Sequence, residues 1–346
     1  MKTRAAVRVL ITAFSIAVSS TVWSAPHGFV MSAGVDDEAI ANGYYATIDP
    51  LNQRTTQADF LEVNGFNDPV NEVVVAKGHF NDGDLQFFRV IKMVEDKRPG
   101  YEENYAFSTG NYLTEADALA EVNSVSLVNM EFSPGPNDDR ITKFYIYDEG
   151  SDTRRISTIF DETNTQLYLP AACYSCHGGD DDEETASPDG YNEGSGETNS
   201  SFLAFDVRTM KFFGTSKASL EAAFKKLNQG VLQTDPTKAT KKLIKGLYGG
   251  SGLPRSTQDV NYIPSSWAGE EELYSDVIVP TCLSCHTTSD SKILRLAWWK
   301  NNPKSLREVI FHERLMPDSL PAYNRFWNET NQHEIVLDAL NRFEAP

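Results

Sequence analysis

The sequence has few cysteines, a deficit of basic residues and no long apolar run beyond its N-terminus. Only four cysteines occur in 346 residues, and all four belong to two short motifs. Lys and Arg number 31 against 49 Asp and Glu, a formal net charge of −18 that disfavours binding to nucleic acid or to an anionic membrane. No later run approaches the roughly 20 apolar residues of a transmembrane helix, so we expect no stable membrane insertion.

The four cysteines form two copies of the pattern Cys-x-x-Cys-His, at residues 173–177 and 282–286. This pattern is the attachment signature of c-type haem, in which two thiols add across the porphyrin vinyl groups and the histidine binds the iron. The two copies predict two covalently attached c-type haems. The attachment residues are Cys173, Cys176, Cys282 and Cys285, and the proximal iron ligands are His177 and His286.

Three other uses of paired cysteines fit less well. A zinc site built from two Cys-x-x-Cys pairs closes over about 15 to 20 residues, far fewer than separate these motifs. A thioredoxin-like redox site does not require the trailing histidine. Two structural disulfides would use a strained pairing that suits catalysis better than cross-linking.

The first 24 residues have the pattern of an export signal. Lys2, Arg4 and Arg8 form a basic start, residues 9–18 are apolar, and small residues lead to a cleavage site between Ser24 and Ala25. Cleavage would change the net charge from −18 to −21. We therefore expect a periplasmic or otherwise exported protein, whose acidic surface either steers a basic redox partner protein or only keeps the chain soluble.

The first part of the mature chain predicts a mixture of helices and strands. Thr56 and Thr114 are predicted N-caps of short helices, each with an acid three residues later, while residues 34–52 show no clear period. Four stretches are rich in β-branched and aromatic residues and are predicted to be strands: residues 73–75, 85–94, 124–132 and 141–147. A hairpin turn at residues 81–84 is predicted to join the first two.

Downstream of the first motif the pattern changes. Residues 178–201 carry eight acidic side chains and no Lys or Arg, which predicts a solvated loop, with calcium binding as the weaker alternative. Helical periodicity follows at residues 220–230 and 235–250, and the Pro-containing stretch 251–265 is the predicted domain boundary.

The C-terminal segment has a readable order of elements. A predicted helix at 270–277 leads into the second motif, Met316-Pro317 follows 30 residues after His286, and residues 335–343 form a closing helix. This order resembles a class I cytochrome c domain over residues 262–346. The resemblance implies that Met316 is the sixth iron ligand of the second haem, with His312 as the competitor.

The chain as a whole also resembles a largely uncharacterised group of exported bacterial dihaem cytochrome c domain proteins. The resemblance implies haem but no particular activity. It is carried by short stretches scattered over the mature chain: residues 44–50 (YYATIDP), 51–66 (LNQRTTQADFLEVNGF), 130–135 (MEFSPG), 173–179 (CYSCHGG) and 267–269 (WAG).

The first motif has no Met-Pro after it, so the sixth ligand of the first haem stays open. We favour Met130, because it stands in one of the resembling stretches. An open, five-coordinate iron is also possible. The other candidates are Met93, His79, Met210 and His27.

The predicted fold class is α+β, with two domains after the signal peptide (1–24). Residues 25–255 form a β-rich domain with the first haem, and residues 256–346 form a small all-α domain like class I cytochrome c. The predicted function is haem binding and outer-sphere electron transfer. The alternative is a dihaem peroxidase-like oxidoreductase with an open distal site at the first haem, so enzymatic activity stays undecided.

Overall fold

A seven-stranded antiparallel sheet lies in the first two thirds of the chain. The computed structural model describes residues 37–148, 152–159, 166–179, 190–289 and 291–345. The sheet order is β6-β5-β4-β3-β2-β1-β9, and β7 and β8 form a separate pair. The strands in the described ranges are β1 (Val73–Asn81), β2 (Phe88–Asp96), β3 (Asn104–Tyr112), β4 (Ser126–Pro134), β5 (Arg140–Tyr147), β6 (Arg154–Arg155), β7 (Ser157–Ile159), β8 (Gln166–Tyr168) and β9 (Met210–Phe212).

Helices flank the sheet and make up the C-terminal part. Of the residues that the structure describes, 42% are helical and 20% lie in strands, which confirms the α+β class. The α-helices in the described ranges are α1 (Glu38–Ile48), α2 (Gln57–Val63), α3 (Glu115–Ala120), α4 (Ala171–His177), α5 (Lys217–Val231), α6 (Lys238–Leu247), α7 (Leu283–His286), α8 (Leu296–Asn301), α9 (Pro303–Arg307), α10 (Leu320–Asn324) and α11 (Gln332–Glu344). Wider π-helical turns precede or follow some of them, at Leu273–Cys282, Glu308–His312 and Arg325–Glu329.

Local signals located nine of these elements correctly. Thr56 accepts a hydrogen bond from the Asp59 backbone nitrogen, and the Asp59 side chain accepts one from the Thr56 nitrogen, which confirms the capping box of α2. Thr114 caps α3 in the same way. The predicted strands and the helices at 220–230, 235–250 and 335–343 correspond to β1, β2, β4, β5, α5, α6 and α11.

Several elements were missed, among them helix α1, strand β3, the short strands β6 to β9 and the short helices α8 to α10. Helix α1 lies in the stretch that shows no period, and strand β3 is the central strand of the sheet. Strand β3 is rich in Asn, Ser, Thr and Gly, so its composition resembles a loop. Two of its polar side chains bond to partners distant in sequence: Gln57 donates to Ser108 Oγ at 3.1 Å, and Arg89 donates to Asn111 Oδ1 at 2.9 Å.

The predicted tight hairpin at residues 81–84 was wrong in detail. Strand β1 ends at Asn81 and β2 begins only at Phe88, so a six-residue loop separates them. The loop backbone bonds elsewhere: the Asp82 carbonyl accepts from Arg325, and the Asp84 carbonyl accepts from Ser319 Oγ. These contacts with the C-terminal part replace the cross-strand pairing of a short hairpin.

One hydrophobic core cluster extends from the sheet to the closing helix. It contains Phe107 and Phe144 of the sheet together with Trp299 and Val336 of the C-terminal helices. The boundary predicted near residue 255 stays a prediction, and the predicted signal peptide and His27 lie outside the described residues. No helix in the described part of the chain is long and apolar enough to span a membrane.

Candidate haem attachment site

The first motif lies on the short helix α4. Cys173 is buried, while Cys176 and His177 are half-buried. Burial raises the pKa of the Cys173 thiol to about 12, so the thiol is neutral at physiological pH. All four cysteines are free thiols, as covalent haem attachment requires, and not disulfides.

His177 is held in the orientation and tautomer of a metal ligand. Its Nδ1 lies 3.0 Å from the carbonyl oxygen of Ser201, and since a carbonyl can only accept, Nδ1 carries the proton. Burial lowers the pKa of His177 to about 4, so the ring is neutral at pH 7. A neutral imidazole whose Nδ1 donates to the backbone leaves Nε2 available to bind iron.

The second motif continues a helix without a break. The π-helical segment Leu273–Cys282 runs directly into α7, which carries Cys285 and His286. Thr281 Oγ1 donates to the Gln332 side chain at 2.7 Å, which fixes this segment against the closing helix α11. Burial lowers the pKa of His286 to about 4, so this ring is also neutral.

A cavity of about 380 Å³ brings the predicted residues of the second site together. Cys282, Cys285, His286 and Met316 all line it, although Met316 lies 30 residues after the motif. Trp299, Ile310 and Phe326 supply apolar walls. His312, the competing ligand, is exposed, so the cavity favours Met316. This donor set fits a c-type haem with His and Met ligands.

The two motifs lie against each other. Cys176 Sγ and Cys285 Sγ are 3.9 Å apart. The Thr288 hydroxyl lies 2.8 Å from the carbonyl oxygens of both cysteines and shares its single proton between them. A Cβ atom on Gly178 would lie 2.9 Å from the Thr288 carbonyl oxygen, so this approach of the two segments requires glycine.

Met130 lies on the face of the sheet that meets His177. It pairs directly with Phe144 in the neighbouring strand, and the Phe144 ring lies 5.4 Å from the His177 ring between centroids. Paired residues on adjacent strands point to the same face, so Met130, Phe144 and His177 share one region. Met130 is also buried.

The other candidates for the first haem are less well placed. A Cβ on Gly230 would lie 2.2 Å from Met93 Sδ, so Met93 packs against helix α5. Met210 lies on the edge strand β9. His79 is buried, and neither ring nitrogen has a partner in the described part of the chain. It stands four strands from Phe144, however, which is about 19 Å at the usual strand spacing.

A charged pair that acts on His177 was not predicted from the sequence. Arg89 Nη1 lies 3.1 Å from Asp84 Oδ2, and Arg89 Nε donates to Asn111 Oδ1. After burial and the Ser201 hydrogen bond, the charge of Arg89 lowers the pKa of His177 and that of Asp84 raises it. Asp84 lies in the turn from which the sequence predicted only a hairpin. No sequence pattern marked Thr288 or Ser201 as residues of the site.

No group of three or more His, Cys, Asp or Glu side chains within the described ranges could hold a bare metal ion. Ten residues of the predicted acidic loop, 180–189, lie outside the described residues. Comparisons with protein-family models, with curated proteins and with solved structures find no match.

Proposed function

We propose that this chain is an exported dihaem c-type cytochrome that transfers electrons. The observation that carries the proposal is the cavity in which two motif cysteines, the motif histidine and Met316 meet. The haem iron supplies one-electron chemistry when bound. The protein's residues attach the porphyrins, hold neutral imidazoles toward the irons and surround the second site with apolar side chains.

The proposed architecture has two haem-binding units. The β-rich unit (25–255) holds the first haem through Cys173, Cys176 and His177. The unit resembling class I cytochrome c (256–346) holds the second through Cys282, Cys285, His286 and Met316. The redox partner protein would be in the periplasm or outside the cell, where an exported chain is located. The net charge of −18 favours a partner with a basic surface over nucleic acid.

A haem count tests this proposal. The purified holoprotein should contain two haems per chain in a pyridine haemochrome assay. The double variants Cys173→Ser with Cys176→Ser, and Cys282→Ser with Cys285→Ser, should each contain one, because each removes both thioether positions of one motif. Fewer than two haems in the natural chain would overturn the proposal.

We also propose Met130 as the sixth ligand of the first haem. Met130→Ala should then convert one of the two haems from low-spin to high-spin in visible and EPR spectra, because one axial position is lost. Met93→Ala removes a buried methionine from the same row of the sheet and is the matched control. If both haems of Met130→Ala stayed low-spin, Met130 would not be the sixth ligand of the first haem.

A second candidate function is a dihaem peroxidase-like oxidoreductase. The observation that favours it is the Arg89–Asp84 ion pair, whose charges act on His177, because peroxide cleavage needs a group that moves a proton and a charge that stabilises the product. High-spin iron in the natural protein, with turnover on adding peroxide and a reductant, would favour this function. A low-spin protein without turnover would exclude it.

A further inference from the structure

We infer that the two haem sites form one contiguous, electronically coupled pair, held together by the packing of the two motifs. This inference rests on the proposed function and goes beyond it, because a dihaem protein can equally carry two independent haems. It is drawn from the contacts between residues of the two motifs.

The attachment points of the two sites are in contact. The Sγ atoms 3.9 Å apart belong to Cys176 and Cys285, the second cysteine of each motif. Each thioether bond joins its sulfur directly to a carbon of the porphyrin edge. Two such sulfurs in contact bring one edge of each porphyrin next to the other.

Several contacts hold the two motifs in this position. Thr288 donates its hydroxyl to the carbonyls of both second cysteines, one in each motif. Thr237 Oγ1 donates to the carbonyl of the adjacent Thr287, which anchors the same turn to helix α6. Gly178 has no side chain to separate the segments. The pair is therefore built into the fold.

The cavity of the second site is shared with the first motif. Tyr174, Cys176 and Gly178 line it together with Cys285 and His286. No intervening layer of side chains separates Cys176 from this cavity. With haem attached at both motifs, this shared lining would let one electron pass between the two sites, oxidising one iron and reducing the other with no proton or bond exchanged.

Contact of this kind has an electrostatic consequence. Each reduction changes the charge on one haem by one unit, and in a buried site of low dielectric that charge acts strongly on its neighbour. The first electron therefore makes the second harder to add. A redox titration of the pair therefore gives two apparent reduction potentials that describe the two haems together. Neither value belongs to one haem alone, just as the apparent pKa values of two coupled ionisable groups belong to both groups.

The test is EPR spectroscopy combined with a redox titration of the natural holoprotein. We expect the fully oxidised spectrum to show spin–spin interaction that disappears when one haem is reduced. In the natural protein, the second electron should enter at a reduction potential lower than that of the single haem in either cysteine variant. Spectra and titrations equal to the sum of the two single-haem variants would overturn the inference and leave the proposed function intact.

Thr288→Val tests the contact that holds the pair, since it removes both hydrogen bonds while conserving side-chain volume. The matched control is Thr234→Val, a buried threonine just after α5 that donates to the carbonyl of Val231, the last residue of that helix. With two haems retained, Thr288→Val should weaken the spin–spin interaction and Thr234→Val should not. Equal spectra for the two variants would remove Thr288 from this role. Fewer than two haems in the natural protein would instead overturn the proposed function, and the inference with it.

Discussion

At the scale of single residues, position in the cavity separates Met316 from the other methionines. It shares a cavity with Cys282, Cys285 and His286, whereas Met93 packs against a helix and Met210 lies on an edge strand. A buried methionine is usually a core filler, so proximity to a predicted iron site is what gives Met316 its proposed role.

Met316→Ala should reduce the methionine-to-iron charge-transfer band of the oxidised protein by about half, because the second haem loses its proposed thioether ligand while Met130 stays on the first haem. The band is measured in the visible spectrum. Met210→Ala is the matched control and should leave the band unchanged. If Met316→Ala retained the band at full intensity, Met316 would not be the ligand that produces it.

Glu131 shows how neighbouring residues in one strand take opposite roles. It follows Met130 and points to the other face of the sheet, where its carboxylate is fully buried. Arg54 Nε lies 2.8 Å away and Lys143 Nζ 3.3 Å away. Burial alone would raise the pKa of Glu131, but these two cations outweigh it and lower the pKa to about 2.

This network predicts a pH dependence of stability. Because the folded pKa lies below the ordinary 4.5, ionised Glu131 stabilises the fold above that pH, and the contribution is lost as the pH falls toward 2. Glu131→Gln should lower the free energy of unfolding at pH 7 by about 3 to 5 kcal/mol, since it leaves the buried Lys143 without its carboxylate partner and removes one of the two carboxylates that pair with Arg54. Urea unfolding over this pH range measures both effects.

Glu121→Gln is the control for this prediction. Glu121 pairs with Lys77 and Lys92 at the partly exposed surface, so its loss should cost about 1 kcal/mol or less. Equal losses in the two variants would contradict a special role of the buried network.

At the scale of elements, the contact between α4 and α7 depends on Gly178. Its backbone angles, φ 64° and ψ 175°, belong to a region that is essentially restricted to glycine. The added Cβ would also lie 2.9 Å from the Thr288 carbonyl oxygen. Neither feature is visible in the sequence of α4 alone.

Gly178→Ala should therefore strain the first motif and push α4 away from α7. We expect a loss of about 1 to 3 kcal/mol in the free energy of unfolding, from the backbone strain alone. Gly194→Ala is the control, because its φ is not in the left-handed region and its nearest neighbour is a side-chain oxygen. Denaturant unfolding compares them, and equal stability of the two variants would contradict the predicted strain.

At the scale of the whole molecule, Arg325 joins the β-sheet to the C-terminal helices. It is buried and donates to the carbonyls of Asp82, in the β1–β2 loop, and of Pro280, just before the second motif. Burial lowers the pKa of its guanidinium. One residue thus connects the loop that carries Asp84 to the helix that carries the second site.

Arg325→Met should leave both carbonyls without their donor and destabilise the fold by about 1 to 3 kcal/mol for each unsatisfied group. Thermal unfolding measured by circular dichroism checks this loss. Arg342→Met removes an exposed ion pair with Glu270 and should change stability by less than about 1 kcal/mol. Equal melting temperatures for the two variants would show that Arg325 does not join the two parts.

The sequence by itself determined the features that depend on short-range spacing. Both attachment motifs, the capping box at Thr56 and the closing helix α11 could be predicted, because each follows from residues within one or two turns. The α+β class also followed from local patterns. Strand β3 could not be predicted, because its Asn and Ser side chains are stabilised by partners distant in sequence.

Only the tertiary structure decided how the two motifs are related. Cys176 and Cys285 are 109 residues apart in the chain, and their contact arises from the packing of α4 on α7. The same packing brings Met316 to the second motif and sets Met130 beside Phe144 and His177. Such contacts result from the joint burial of distant elements in one core, which no local pattern encodes.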